Sequence, residues 1–201
     1  MAKWFSNGEA VEHIPISDRG FQYGDGLFET IAIRNDEPRL WTSHLERLTK
    51  GCDTLNISAP DERELRSGIE HALQYGEVLT AYCTVKIIVS AGSGVRGYGR
   101  KPVAAPSVLF GVFPSAPLSL GSYQDGVDTT LCHTRLAANS ATAGLKSLNR
   151  MEQVLARSEL IESQSFEGLT MDADDNIICG TMSNVFFVTG NTIMTPAVDK
   201  C

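Results

Sequence analysis

GLFETIAIRNDEPRL, residues 26 to 40, carries β-branched and aromatic residues into a turn near Asn35 to Pro38, which commits this part of the chain to a strand and its antiparallel return. KWFSNGEAVEH, residues 3 to 13, does the same around Asn7-Gly8. Two hairpins therefore open the fold. Ser43 with Glu46 forms a capping-box pattern ahead of Leu45, Leu48, Cys52 and Leu55, and Asp61 with Glu64 repeats it ahead of Leu65, Ile69 and Leu73. Two amphipathic helices are predicted there. AYCTVKIIVSA and SVLFGVF return to strand composition, so residues 1–114 read as an N-terminal α+β domain.

PSAPLSLGS, rich in proline, glycine and serine, predicts a linker over residues 115–122. A C-terminal α/β domain follows over residues 123–201. It opens with the strand-like GVDTTLCHTRL and continues with a helix carrying Met151, Val154, Leu155 and Ile161. Two strand pairs finish it, one turning at the Asp-rich stretch of EGLTMDADDNIIC and one at Gly190-Asn191. The class is α/β (α+β).

Apolar residues make up 42% of the 201, enough for a real core. A net charge of -7 and the lack of any Lys/Arg cluster argue against nucleic acid or an anionic membrane as partner, and for a small molecule. The opening MAKWFSNGEAVEH lacks the apolar core of a secretory signal, and no stretch approaches the ~18 apolar residues of a membrane span. The expected location is the cytoplasm. Five scattered cysteines without a C-x-x-C pair suggest reduced thiols, with neither a disulfide framework nor a zinc site.

Gly92, Gly94 and Gly97 have the spacing of a dinucleotide fingerprint, but Pro102 and Pro106 stand where its helix should run. What remains is a glycine-rich loop bearing Arg96 and Tyr98, either a plain connection or an arginine poised to grip a carboxylate by two hydrogen bonds. SDRGFQYGDGLFET, residues 17 to 30, specifies more groups than a turn requires. Lys146, in AGLKSLNRMEQVL, is either a solvated charge near a helix start or an amine nucleophile for a carbonyl.

DRGFQYGDGLFET, HLERL, GSGVRGY, GLKSLNRMEQVL and GTMSNVFF with a later Thr195-Pro196 together resemble the fold-type-IV pyridoxal phosphate family, in the same order. The pairing of GSGVRGY with LKSLNRMEQVL is most similar to the aminodeoxychorismate lyases of that family. The resemblance implies two domains with pyridoxal 5'-phosphate in the cleft between them, and a homodimer. It implies that Lys146 is the Schiff-base and proton-shuttling lysine, and that Arg47 contacts the cofactor phosphate. Cys179, Ser183 and Asn184 line the cofactor, and Arg96, Tyr98 and Tyr23 face the substrate. The implied reaction makes 4-aminobenzoate and pyruvate for folate synthesis. A D-amino-acid or branched-chain aminotransferase shares the fold and the lysine, and a non-catalytic remnant that binds a ligand or partner is the reading of another class.

Two departures stand out. Cys179 occupies the place of a glutamate that in many members keeps the pyridine nitrogen protonated; a thiol is a weak partner for it, so a slower enzyme is expected. Asp175, four residues back, is an unlikely substitute. Relatives also carry more chain beyond the Thr-Pro step, so the second domain reads as C-terminally incomplete.

Overall fold

The computed structural model describes residues 3–77, 82–100, 105–137 and 141–198. They form two compact units: Met1–Pro117 with Lys146–Asn149, and Leu118–Leu145 with Arg150–Cys201. The lysine segment thus packs with the first unit, although in sequence it interrupts the second. No helix among the described residues is long and apolar enough to cross a membrane.

In the first unit the elements are β1 (Lys3–Ser6), β2 (Glu9–Ala10), α1 (Arg19–Tyr23), β3 (Gly26–Arg34), β4 (Glu37–Pro38), α2 (Trp41–Leu55), α3 (Glu62–Tyr75), β5 (Tyr82–Ser90) and β6 (Ser107–Pro114). The six strands form one antiparallel sheet in the order β2-β1-β6-β5-β3-β4. Strand alternation decides its two faces. Leu27, Ile31 and Ile33, with Val85, Ile87, Val89, Phe110 and Val112, are buried on one face, which α2 and α3 cover with Leu48, Cys52, Leu65 and Ile69. Gly68 lets α3 approach, since a Cβ there would lie 2.2 Å from the Phe110 ring. The other face, with Phe28, Thr30, Lys86 and Ile88, is less buried.

Asp61 caps α3 as predicted, its side chain accepting from the Glu64 N–H at 2.8 Å. The Ser43 and Glu46 capping box does not form. Helix α2 begins three residues earlier, at Trp41, behind Leu40 as its N-cap in the left-handed region (φ 52) and without a side-chain cap. Burial of the Trp41 ring, whose Nε1–H donates to Glu62 at 2.8 Å, draws the helix start back.

The second unit holds α4 (Leu120–Gln124), β7 (Thr129–Arg135), α5 (Met151–Ser163), β8 (Glu167–Met171), β9 (Ile177–Gly180), β10 (Phe187–Thr189) and β11 (Thr192–Met194). Ser119 caps α4, so the serine-rich stretch read as a linker contains a helix start. Strands β7 and β8 are parallel, joined through α5, and β9 pairs with β8 antiparallel; β10 and β11 form a separate hairpin. Helix α5 buries Ala156 and Leu160, while its larger Met151, Val154, Leu155 and Ile161 are exposed. The mixed α/β class is the one expected.

Candidate active site

Lys146 to Leu148 run alongside the start of β3. The Phe28 N–H donates to the Lys146 carbonyl at 2.9 Å, the Leu148 N–H donates to the Gly26 carbonyl at 2.9 Å, and Leu27 bridges Ser147. This pairing fixes which side chains meet. Lys146 Nζ sits 4.3 Å from the centroid of the Phe28 ring, and Lys86 Nζ, reaching across from β5, sits 4.8 Å from the same centroid. Both are cation–π contacts on one ring. The two amines therefore lie within the sum of those distances of each other. Burial lowers the pKa of Lys86, and its ammonium forms no ion pair among the described residues.

Arg47, on α2, serves a different face of β3. Its Nε donates to Glu29 Oε1 at 2.7 Å and its Nη2 to Oε2 at 2.6 Å, while His44 Nδ1 lies 2.8 Å from Oε2. Glu29 is 1% exposed. Burial would raise its pKa, but the hydrogen bonds and charges of Arg47 and His44 outweigh burial and hold it low. Because Phe28 and Glu29 alternate across the strand, Lys146 and Arg47 address opposite faces of β3. The Arg47 side chain is about half exposed, and Nη1 takes no part in the pair with Glu29.

Arg96, on the glycine-rich loop, is exposed. Tyr98 is exposed too, its ring set edgewise on Tyr23 with centroids 5.6 Å apart, and the Tyr23 hydroxyl accepts from the Gly97 N–H at 3.1 Å. No helix follows Gly92, Gly94 and Gly97 as far as Arg100, the last described residue there, as the prolines imply. Tyr98 and Tyr23 thus meet in the first unit, and Arg96 lies two residues from Tyr98 on the same loop.

Cys179, Ser183 and Asn184 lie in the second unit. Cys179 Sγ is 3.4 Å from Thr170 Oγ1, whose hydroxyl donates to the Cys179 carbonyl at 2.9 Å. Ser183 and Asn184 are exposed at the turn after β9. Asp175 lies in a turn at φ 62 and pairs with Arg135 at 2.7 Å. The segment after β9 that carries Ser183 is held by buried Glu167, whose carboxylate accepts from the Thr181 N–H at 3.1 Å, the Thr181 hydroxyl and the Ser183 hydroxyl at 2.8 Å. Burial raises the Glu167 pKa, but these hydrogen bonds, Thr181 first, bring it down on balance.

Lys86, Glu29 and Glu167 are absent from the residues that motif spacing singles out. Lys86 had one signal: it is the lone charge in AYCTVKIIVSA.

The Amino-transferase class IV family model matches residues 26–201. An aminodeoxychorismate lyase of Vibrio harveyi is 34% identical over 96% of this chain and 69% of its own length. The crystal structure of 4-amino-4-deoxychorismate lyase from Pseudomonas aeruginosa superposes with a TM-score of 0.88 at 37% identity, over 98% of this chain and 72% of that one. A branched-chain amino acid aminotransferase from Escherichia coli, at 20% identity and a TM-score of 0.84, covers 98% of this chain and 68% of that one, and shares the fold. The chain spans about seven-tenths of the length of these relatives.

Proposed function

The chain belongs to the class IV amino-transferase family, and from that membership we propose that it is a pyridoxal-phosphate-dependent 4-amino-4-deoxychorismate lyase, forming 4-aminobenzoate and pyruvate. Two of the relatives above carry that activity in their names. The observation that carries the reading further is the pair of lysine amines on the Phe28 ring. A substrate with one amine and two carboxylates calls for one amine to do chemistry and cations to receive the carboxylates.

The side chains fit pyridoxal phosphate at two points and depart from it at a third. Lys146 offers a half-buried primary amine against an aromatic ring. Arg47 offers a guanidinium oriented by Glu29, with one nitrogen outside that pair, the donor geometry a phosphate takes. Cys179 offers a thiol, a weak partner for a ring nitrogen. When bound, the cofactor supplies an electron sink for the pair left when a bond to the amine-bearing carbon breaks.

In this reading Lys146 Nζ takes the proton from the ring carbon that bears nitrogen. The carbon–oxygen bond to the enolpyruvyl group then breaks and the six-membered ring becomes aromatic. The proton on Nζ can pass to the departing group, which leaves as pyruvate. Lys86 and Arg96 receive the carboxylates, and Ser183 and Asn184 contact the cofactor. A cytoplasmic homodimer supplying folate synthesis is the setting this reading implies.

The test is the visible absorbance of the protein with added pyridoxal phosphate, beside Lys146→Ala, followed by assay of 4-aminobenzoate and pyruvate from aminodeoxychorismate. A band and both products in the parent, and neither in the variant, is the expected result. A band without 4-aminobenzoate, together with amino transfer from an amino acid to a 2-oxo acid, would replace the lyase by an aminotransferase.

A further inference from the structure

Four glycines in GSGVRGYG, residues 92 to 99, suggest a loose loop, yet the loop is tied down along its length by one short segment, Ser17 to Asp25. The Arg19 N–H donates to the Gly92 carbonyl at 2.9 Å, Asp18 bridges Ser93, and the Gly94 N–H donates to the Ser17 carbonyl at 3.0 Å. Arg19 does the rest. It is 3% exposed, and its guanidinium donates through Nη1 to Gly97 O at 3.0 Å and through Nη2 to Tyr98 O at 2.9 Å. A longer bond of 3.4 Å reaches Gly99 O. Successive carbonyls can converge on one guanidinium because Gly97 turns the chain at φ 105, where a side chain would be strained. The stem of Arg19 also sets the space here, since a Cβ on Gly94 would lie 3.0 Å from its Cδ.

Asp25 closes the frame. Its Oδ2 accepts from Arg19 Nε at 2.7 Å and from Arg100 Nε at 2.9 Å, and its Oδ1 accepts from Arg100 Nη2. Arg100 also donates to the carbonyls of Leu55 and Asn56, where a cation complements the C-terminus of α2. One carboxylate therefore joins the arginine that grips residues 97–99 to the arginine that ends the loop. Arg96, between them, is exposed and has no hydrogen bond or ion pair among the described residues.

We propose that Arg19 and Asp25 are positioning residues that hold the loop as a preformed receptor, so that Arg96 meets a carboxylate without first having to be ordered. The frame fixes the backbone that carries Arg96, so ordering of the loop takes place during folding and not at binding, which leaves only the Arg96 side chain to be immobilised by the ligand. The identity of the carboxylate rests on the lyase reading; the rigidity of the loop does not.

Trypsin provides the test, because the Arg96–Gly97 bond lies inside the frame. Cleavage at that bond is followed by mass spectrometry in the parent, Arg19→Lys and Asp25→Asn, with and without isophthalate, an aromatic dicarboxylate. The parent should be cut slowly, and more slowly still with isophthalate. Each variant should be cut at least about tenfold faster, as loss of one hydrogen bond to a charged group allows, and isophthalate should protect it only at higher concentration. Arg100→Gln, at the rim of the frame, is read in the same way if the buried variants lose cooperative unfolding. Cleavage of the variants at the parent rate overturns the proposal. So does faster cleavage with unchanged protection, which makes the frame structural only, and so does an absence of protection in the parent. A lyase reading that fails at Lys146→Ala leaves the cleavage result standing.

Discussion

Arg47 and Glu29 meet fork to fork, Nε on Oε1 at 2.7 Å and Nη2 on Oε2 at 2.6 Å, with the carboxylate buried and the guanidinium half in solvent. That asymmetry sets the consequence of breaking the pair. Arg47 can turn to water, but the site of Glu29 cannot be hydrated without opening the sheet-to-helix core. Glu29→Gln should lower stability by about 1.5 to 3 kcal/mol, the range for a hydrogen bond to a charged group, read by urea unfolding at neutral pH. It should also weaken pyridoxal phosphate binding by releasing Arg47 from its orientation. Unchanged stability would mean that the pair forms without contributing.

The same group makes the fold acid-sensitive. Glu29, Asp25 and Glu167 all have pKa values lowered in the folded protein. Each contributes stability that is fully present above its unfolded value, roughly 3.9 for Asp and 4.3 for Glu, and is lost as pH falls through the lower folded value. Unfolding free energy measured from pH 6 downward should therefore decline below about pH 4.5, and Glu29→Gln should flatten that decline. A parallel decline in the variant would remove Glu29 from the cause.

Lys86 separates a binding role from a packing role. Its ammonium is partly buried, has its pKa lowered by burial, and forms no ion pair among the described residues. Lys86→Met keeps the length and removes the charge, so thermal stability should hold or rise. If the ammonium receives a substrate carboxylate, KM for aminodeoxychorismate should rise about tenfold or more while the Lys146 absorbance band stays. An unchanged KM would leave Lys86 as a side chain resting on Phe28.

Much of the fold is legible from local chemistry. The Asn7-Gly8 and Asn35-Asp36 turns, the Asp61 cap and the strand alternation of residues 26 to 34 are each determined within a few residues, and each is where its chemistry puts it. The start of α2 was not legible from Ser43, because burial of Trp41 outweighs the cap. Site residues divide in the same way. Lys146, Arg47 and Arg96 enter as candidates through the resemblance of their motifs. Arg19, Lys86 and Glu167 depend on contacts between residues 14 to 80 positions apart, such as Arg19 with Gly99 and Glu167 with Thr181, and spacing along a chain carries no record of those.

Cys52 is fully buried on α2, and burial, with Asp53 adding to it, pushes its thiol up to about 11. At pH 8 the thiolate is then on the order of one part in a thousand. Cys83 and Cys132 are buried and raised in the same direction. Labelling with a thiol reagent at pH 8, mapped by peptide, should therefore modify Cys179 before any of these three in the folded protein. Early modification of Cys52 would show that α2 opens from the sheet far more often than its packing suggests.

Cys179 itself offers the most direct test of how this chain tunes its chemistry. Its side chain is partly buried at the end of β9, within 3.4 Å of the Thr170 hydroxyl, whose proton goes to the Cys179 carbonyl. If Cys179 faces the ring nitrogen, as the proposed reading has it, Cys179→Glu would supply an anion able to hold a proton there that a thiol cannot hold. A charge-assisted hydrogen bond is worth roughly 1.5 to 3 kcal/mol, and each ~1.4 kcal/mol of barrier is tenfold in rate. Turnover of aminodeoxychorismate should therefore rise about ten- to a hundredfold in the variant, with KM little changed because no substrate contact is added. A rise in KM with no rise in kcat would mean that Cys179 does not face the ring nitrogen, and that the thiol is there for packing against Thr170.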